Sequence, residues 1–186
     1  MWELLPIFCR FNSPQLSGAF ASLLPSLEPM VNRNDYGLRS VALRSFSELI
    51  NHCRNTSVVT EEIKKTRKGL QRISLDYVQG LSKMYCVDPK EAEKGNTLVL
   101  SENEKAQVLQ TLQDFSSIAK SGTLSNRFLT AFAELVTEKE ANAVDTDAAL
   151  RRLDVLIAMM EKVKLSRENQ VQLMLGVKGF IDDKHT

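Results

Sequence analysis

Few residues in this chain could carry acid–base, nucleophilic or metal chemistry. It has two histidines, His52 and His185, and three cysteines, Cys9, Cys53 and Cys86. A Cys–His nucleophile pair needs side chains that converge on one site. His52 and Cys53 are consecutive, and consecutive side chains of a helix point about 100° apart. We therefore predict no catalytic residue, and we interpret His52 as an exposed residue whose charge favours a helix C-terminus.

Metal and phosphate sites have no better support in the sequence. No two of the cysteines and histidines show the two-to-four-residue spacing that is typical of structural zinc sites. Cysteines on apolar helix faces are usually core residues, and no Gly-x-x-x-x-Gly-Lys loop occurs that could bind phosphate. The sequence predicts no metal, no cofactor, no small-molecule substrate and no enzymatic activity. A cluster of buried titratable residues in a deep pocket would contradict this prediction.

A group of cations at helical spacing is the best candidate for a functional surface. It comprises Lys64, Lys65, Lys68 and Arg72. Three of them are four residues apart and form a ridge on one helix face, which Arg67 widens. Such a ridge can contact RNA phosphates or an acidic partner through sequence-independent electrostatics. The alternative is a solvated face, on which Glu61 pairs with Lys65 four residues later.

The overall charge gives no general attraction for nucleic acid. The formal net charge is +1 and the isoelectric point is about 7.7, so any RNA contact must come from a local patch. Arg39, Arg44 and Arg54 are candidates to extend the basic surface. Arg151 and Arg152 form a second, weaker candidate.

Helices are predicted to position these residues, and the organising stretch is Trp2–Cys53 with its centre at Leu38–Cys53. Apolar and small residues recur there at steps of three and four, which places them on one helical stripe. They are Leu38, Val41, Ala42, Ser45, Phe46, Leu49, Ile50 and Cys53. Aromatic residues are scarce and good helix formers are plentiful, which favours helices over sheets.

Local signals predict where the helices begin and end. Starts are expected at Ser13-Pro14, Asp35, Thr60, Ser101 with Glu104, about Leu124, about Asp147 and Ser166. Pro25 and Pro29 predict a kink or break near Leu24. The first apolar face is predicted as Leu4, Leu5, Phe8 and Phe11. The inward face of the helix from Asp147 is predicted as Leu150, Leu153, Leu156, Ile157, Met160 and Val163.

The spacing of these elements predicts an all-α fold without strands. About eight helices, in antiparallel pairs at about 40-residue spacing, favour a HEAT-like α-solenoid. An irregular helical bundle remains the alternative. Residues 1–186 are interpreted as a single helical-repeat domain, and the apolar start favours a segment of a longer protein. No stretch approaches the roughly 20 apolar residues that a membrane span needs, which predicts no membrane insertion.

The stretch Trp2–Cys53 resembles the conserved helical domain of the ribosomal RNA-processing protein twelve family, which are large HEAT-repeat proteins of ribosome assembly. The residues that carry the resemblance are the string Leu4-Leu5-Pro6-Ile7-Phe8-Cys9, then Phe20, Leu23 and Leu27, then Leu38-Arg39, Val41, Leu43 and Leu49-Ile50. A weaker similarity runs through Val108–Val136. The chain departs from the family pattern by placing Pro25 and Pro29 in the second helix, and it is far shorter than a full family member.

The resemblance implies a non-catalytic scaffold in ribosome biogenesis. Family members of this kind bind pre-ribosomal RNA and assembly proteins and help the particles to mature and be exported. The implied location is the nucleus and nucleolus, with shuttling to the cytoplasm. The alternative hypothesis is a HEAT or armadillo adaptor in nuclear transport or membrane trafficking, which would bind peptides or a small GTPase.

Overall fold

The computed structural model describes residues 2–10, 14–31, 35–57, 59–87, 99–118 and 146–160, and single positions between 167 and 175. All regular structure in these ranges is helical, so the all-α prediction is confirmed there. After a 3-10 helix, Trp2–Leu4, the helices are α1 Leu5–Arg10, α2 Pro14–Val31, α3 Tyr36–Asn55, α4 Glu61–Cys86, α5 Glu102–Ile118 and α6 Thr146–Met160. The helix predicted from about Leu124 lies outside the described residues, as does most of the one predicted from Ser166.

The predicted helix starts are confirmed where the structure describes them. Helix α2 begins at Pro14, where the fixed φ of proline suits a first turn. The Asp35 carboxylate accepts a hydrogen bond from the backbone N–H of Leu38 at 3.2 Å and caps α3. Thr60 Oγ1 accepts one from the N–H of Ile63 at 3.3 Å and caps α4. Each cap satisfies a backbone donor that has no partner inside its helix.

Of the kink or break predicted near Leu24, the break is wrong, because α2 continues through both prolines to Val31, while the kink stays a prediction. Pro25 and Pro29 are exposed, whereas Leu24, Leu27 and Met30 are buried. The two rings are four residues apart and therefore lie on the same outer side of the helix. There the carbonyl groups that lose their helical partners face water. Packing of the inner side thus overrides the local preference against proline.

Helix α3 is the centre of the core. It contacts α1, α2 and α5, and α4 less extensively. The predicted stripe is buried from residue 41 onward: Val41, Ala42, Ser45, Phe46, Leu49, Ile50 and Cys53. Additional buried positions, among them Leu43, show that α3 is enclosed on more than one side. Helix α4 in turn packs on α2, α5 and α6.

Contacts between side chains define the relative directions of the central helices. Helices α3 and α5 run parallel, because residues later in α3 contact residues later in α5. The contacts are Arg39 with Glu104, Ser40 with Gln107 and Ser47 with Thr111. Helix α4 runs antiparallel to α5. Its earlier residue Gln71 donates to the backbone oxygen of Ile118, and its later residue Tyr77 stacks on Phe115.

The apolar face predicted for the first segment is wrong at Leu4 and Phe8, whereas Leu5 is partly buried against the core and Phe11 lies outside the described residues. Pro6 and Cys9 point inward in α1, while Leu4 and Phe8 have about half of their side chains exposed, at 51% and 50%. A six-residue helix is too short for periodicity to select a face. Its orientation is instead set by contact with α3, where Arg10 donates to the Glu48 carboxylate at 2.6 Å.

The inward face predicted for α6 is also largely wrong. Leu156 is buried as predicted and Leu153 is half-buried, but Leu150, Ile157 and Met160 are exposed. Val163 lies outside the described residues. The buried side of α6 is formed by Val155, Leu156, Ala158 and Met159. A stripe at helical spacing identifies an apolar face, but it does not reveal which side the neighbouring helices occupy. Contacts with α4 and α5 decide that here.

Replacement by alanine is expected to affect stability differently at the two glycines of α4. A Cβ at Gly69 would lie 2.7 Å from the buried Leu24 Cδ1, whereas a Cβ at Gly80 meets nothing within 4 Å. Gly80→Ala should stabilise the protein by about 0.5–1 kcal/mol through helix propensity. Gly69→Ala should lose that gain because Leu24 must move. Thermal unfolding followed by circular dichroism measures both, and an equal gain at Gly69 would contradict the close contact.

Candidate functional site

The predicted basic ridge lies on the outward side of α4. Lys64, Lys65, Lys68 and Arg72 are all exposed, as is Arg67 beside them. The opposite side of the same helix is anchored in the core by Ile63, Thr66 and Leu70. The helix therefore holds the cations at fixed positions while leaving their side chains accessible.

The ridge carries one internal ion pair, and it differs from the one that the sequence suggested. Lys64 Nζ donates to Glu61 Oε1 at 2.6 Å, three residues earlier, so Glu61 pairs with Lys64 rather than with Lys65. The hydrogen bond from Lys64 lowers the pKa of Glu61, and the charge of Lys68 adds to this effect. Exposed pairs of this kind are weak, so an incoming anion can displace the Glu61 carboxylate.

The arginines proposed to extend the ridge differ in their exposure to solvent. Arg44 and Arg54 are exposed, but Arg39 is buried, so its predicted place on the surface is wrong. Arg151 and Arg152 are half-buried on α6, and their charges oppose the rise in the pKa of the Cys86 thiol that burial causes. The second candidate is therefore not an exposed ridge.

The Arg39 side chain is buried in an ion pair with Glu104 that joins α3 to α5. Glu104 also accepts hydrogen bonds from the backbone N–H of Ser101 at 2.9 Å and from its Oγ at 2.8 Å, which completes the predicted capping box. Burial tends to raise the pKa of Glu104, but the hydrogen bonds from Arg39 and Ser101 outweigh it and hold the pKa below its usual value. The capping box could be predicted from sequence, whereas the ion pair depends on how two distant helices meet.

Further polar contacts continue along the same α3–α5 interface. Ser40 Oγ donates to Gln107 Oε1 at 3.0 Å, and Gln107 Nε2 donates to the Ser40 backbone oxygen at 3.0 Å. The hydroxyls of Ser47 and Thr111 are 3.4 Å apart. We call the ion pair together with these contacts the α3–α5 polar seam. Its groups satisfy one another, as buried polar groups in a stable interface must.

His52 is buried, so its predicted exposure is wrong. Its ring meets the ring of Phe20 edge to face, with centroids 5.6 Å apart. Burial lowers the pKa of His52 below 6.5. Within the part of the chain that the structure describes, the buried Nε2 has no hydrogen-bond partner. The histidine therefore acts as a neutral core residue at the α2–α3 contact.

The cysteines lie apart as free thiols, with Cys9 and Cys53 fully inside. Burial raises the pKa of Cys9 to about 12 and that of Cys53 to about 11, and a thiol that stays protonated is a poor nucleophile.

Among residues of the described ranges, no three histidine, cysteine or acidic side chains come together as a metal-binding group. Those ranges also contain no helix long and apolar enough to cross a membrane.

Comparison of the chain with family models, curated proteins and solved structures found no match. The resemblance of Trp2–Cys53 to ribosome-assembly proteins therefore stays a prediction. The exposed basic surface of α4, held in place by the helices packed beneath it, is the candidate functional site.

The α3–α5 ion pair predicts a non-additive response to mutation. Arg39→Met should destabilise the protein by about 3–5 kcal/mol, because it leaves the Glu104 carboxylate buried without its cation. The double variant Arg39→Met/Glu104→Leu should recover most of that loss, because it removes both charges. Chemical denaturation of the two single variants and the double variant measures the coupling. Additive losses would contradict a buried, mutually dependent pair.

His52 predicts a stability change in mildly acidic solution. The unfolded chain binds a proton at His52 with a pKa near 6.5, and the folded chain does so only at lower pH. The His52 contribution to stability is therefore intact above pH 6.5, declines as the pH falls below it, and levels off below the folded-state pKa. His52→Leu should reduce this dependence in melting curves between pH 5 and 7.5, while His185→Leu serves as the control. Equal pH profiles for wild type and His52→Leu would contradict the buried, neutral assignment.

Proposed function

We propose that this chain is a non-catalytic helical-repeat scaffold in ribosome biogenesis. Its helix pairs stack as a HEAT-like solenoid, and its outer surface binds pre-ribosomal RNA and assembly proteins in the nucleus and nucleolus. The observation that carries the proposal is the exposed ridge of Lys64, Lys65, Lys68 and Arg72 on a helix whose other side is fixed in the core.

The packing order of the helices supports the solenoid part of the proposal. Contacts join α1 to α3 and α3 to α5, and a second series joins α2 to α4 and α4 to α6. Helices α3 and α5 run parallel, and α4 runs antiparallel to α5. Among the described helices these contacts form two rows, and contacts in two rows are typical of stacked helix pairs. Such stacking leaves an extended surface for partners.

The chemistry of the interior supports a role without catalysis. Arg39 and Glu104 neutralise each other and join two helices. Tyr85 donates from its hydroxyl to Asp154 at 3.0 Å and joins α4 to α6. Burial, with Asp154 adding to it, raises the pKa of Tyr85 to about 12, which keeps the phenol neutral. These groups hold helices together, which is what a scaffold requires.

Charge reversal tests the RNA contact. Lys64→Glu/Lys68→Glu/Arg72→Glu should weaken binding of a pre-ribosomal RNA fragment at least tenfold at low salt. Each phosphate contact releases counterions from the RNA and so favours binding, and the variant loses these contacts. Fluorescence anisotropy measures the affinity, and Lys83→Glu/Lys105→Glu/Arg167→Glu is the control with the same change in net charge. Unchanged binding by a folded ridge variant would remove the ridge from the proposal.

Association in cells tests the ribosome-assembly role. The tagged protein should recover pre-ribosomal RNA together with assembly proteins, and the ridge variant should recover less RNA than the control variant. Recovery of peptides or a small GTPase without pre-ribosomal RNA would instead support an adaptor in nuclear transport or membrane trafficking, and it would overturn the proposed function.

A further inference from the structure

We propose that the basic surface spans two helices, with Arg54 and Arg67 joining the α4 ridge, and that it binds the phosphate backbone of double-stranded RNA without reading bases. This inference deepens the proposed function, because it names the form of RNA that the same surface takes. We call the six exposed cations the α3–α4 patch: Arg54, Lys64, Lys65, Arg67, Lys68 and Arg72.

The position of Arg67 connects the ridge to the end of α3. Helix α4 contacts α3, and the charge of Arg67 lowers the pKa of the buried Cys53 thiol near the end of α3, against the larger rise that burial causes. Arg54 is exposed and directly follows Cys53 in the last turn of α3. Helices in contact lie about 8–10 Å apart, so the two arginines add width to a ridge whose length runs along α4.

The patch is a local excess of positive charge in a chain whose net charge is close to zero. Between Arg54 and Arg72 there are six cations and two carboxylates, Glu61 and Glu62, while the whole chain carries a net charge of only +1. A local positive field of this kind attracts an anion to one place on the surface.

The residues around the cations favour nucleic acid over an acidic protein. Protein interfaces rely on buried apolar or aromatic anchors surrounded by polar contacts. Among residues of α4 whose exposure the structure describes, the exposed positions are charged, glutamine or glycine. Val59, before the helix, is an exposed apolar neighbour. A surface this polar and positive lacks protein-type anchors and is typical of nucleic-acid interfaces.

The same composition favours backbone contacts over base readout. Proteins that hold single strands stack bases on exposed aromatic side chains, and none of the exposed positions that the structure describes on α4 is aromatic. Lysine and arginine side chains can instead reach phosphates on the outside of a duplex.

The dimensions of the patch suit a duplex. Lys64, Lys68 and Arg72 rise about 6 Å per step along α4, Lys65 and Arg67 widen this row on the same helix, and Arg54 adds one cation from the last turn of α3. A surface with both length and width can contact phosphates on the two sides of the shallow minor groove of A-form RNA.

Binding measurements with the full chain test this inference. The probe is a labelled 20-base-pair RNA duplex, compared with a duplex of scrambled sequence, with one of its single strands and with a polyglutamate peptide. Wild-type protein should bind both duplexes equally, and more tightly than the single strand or the peptide. Preference for the single strand or the peptide, or a difference between the two duplexes, would overturn the inference.

Two matched variants test the added arginines. Arg54→Glu/Arg67→Glu should bind the duplex at least fivefold more weakly at 50 mM salt, and the slope of log affinity against log salt should fall by about 1.8, which corresponds to two phosphate contacts on a duplex. Lys83→Glu/Lys105→Glu carries the same charge change outside the patch and should keep most of the affinity. A folded Arg54→Glu/Arg67→Glu protein with wild-type binding would overturn the two-helix patch.

The outcome is separable from that of the proposed function. If Arg54→Glu/Arg67→Glu binds the duplex as well as wild type does, the inference is wrong. If pre-ribosomal RNA is still recovered from cells, the scaffold role is supported all the same. Patch-dependent duplex binding without pre-ribosomal RNA in cells would uphold the inference and overturn the ribosome-assembly role.

Discussion

The buried ion pair between Arg39 and Glu104 is the constraint on which the arrangement of the central helices depends. A buried charge without a partner is strongly unfavourable, so α3 and α5 are stable together only where these two groups meet. Once they meet, the rest of the α3–α5 polar seam falls into register, and Phe46 and Phe115 come together with ring centroids 5.3 Å apart. Any other alignment of α3 and α5 that kept these side chains buried would leave a charge without its partner.

The orientation of α4 follows from that alignment. Tyr77 packs against both Phe46 and Phe115, so the aromatic contact formed by α3 and α5 also receives α4. On another side, Gly69 lets α4 approach Leu24 of α2 closely. Because these contacts use the inner side of α4, its cations face outward. The packing of the inner side of α4 therefore determines which of its residues are exposed.

The sequence predicts what is local and misses what depends on distant partners. Asp35 and Thr60 cap their helices as predicted, because a cap needs only residues three positions apart. The ridge cations lie together because four-residue spacing fixes them on one face. The burial of Arg39 and His52 could not be predicted, because the groups that cover them come from other helices. For Arg39, the available signal was its position four residues before Leu43 and seven before Phe46, a spacing that puts the three side chains on one side of α3.

The buried thiols provide reporters of partial opening. Cys9 is fully enclosed on the six-residue α1, whereas Cys53 lies near the end of α3. An alkylating reagent reaches such a thiol only when the surrounding structure opens, so the modification rate of each cysteine gives the free energy of its own opening event. Helix α1 is short, so its detachment would expose Cys9 before the central helices separate. The difference between the two rates then measures how much more easily the first helix is released than the core.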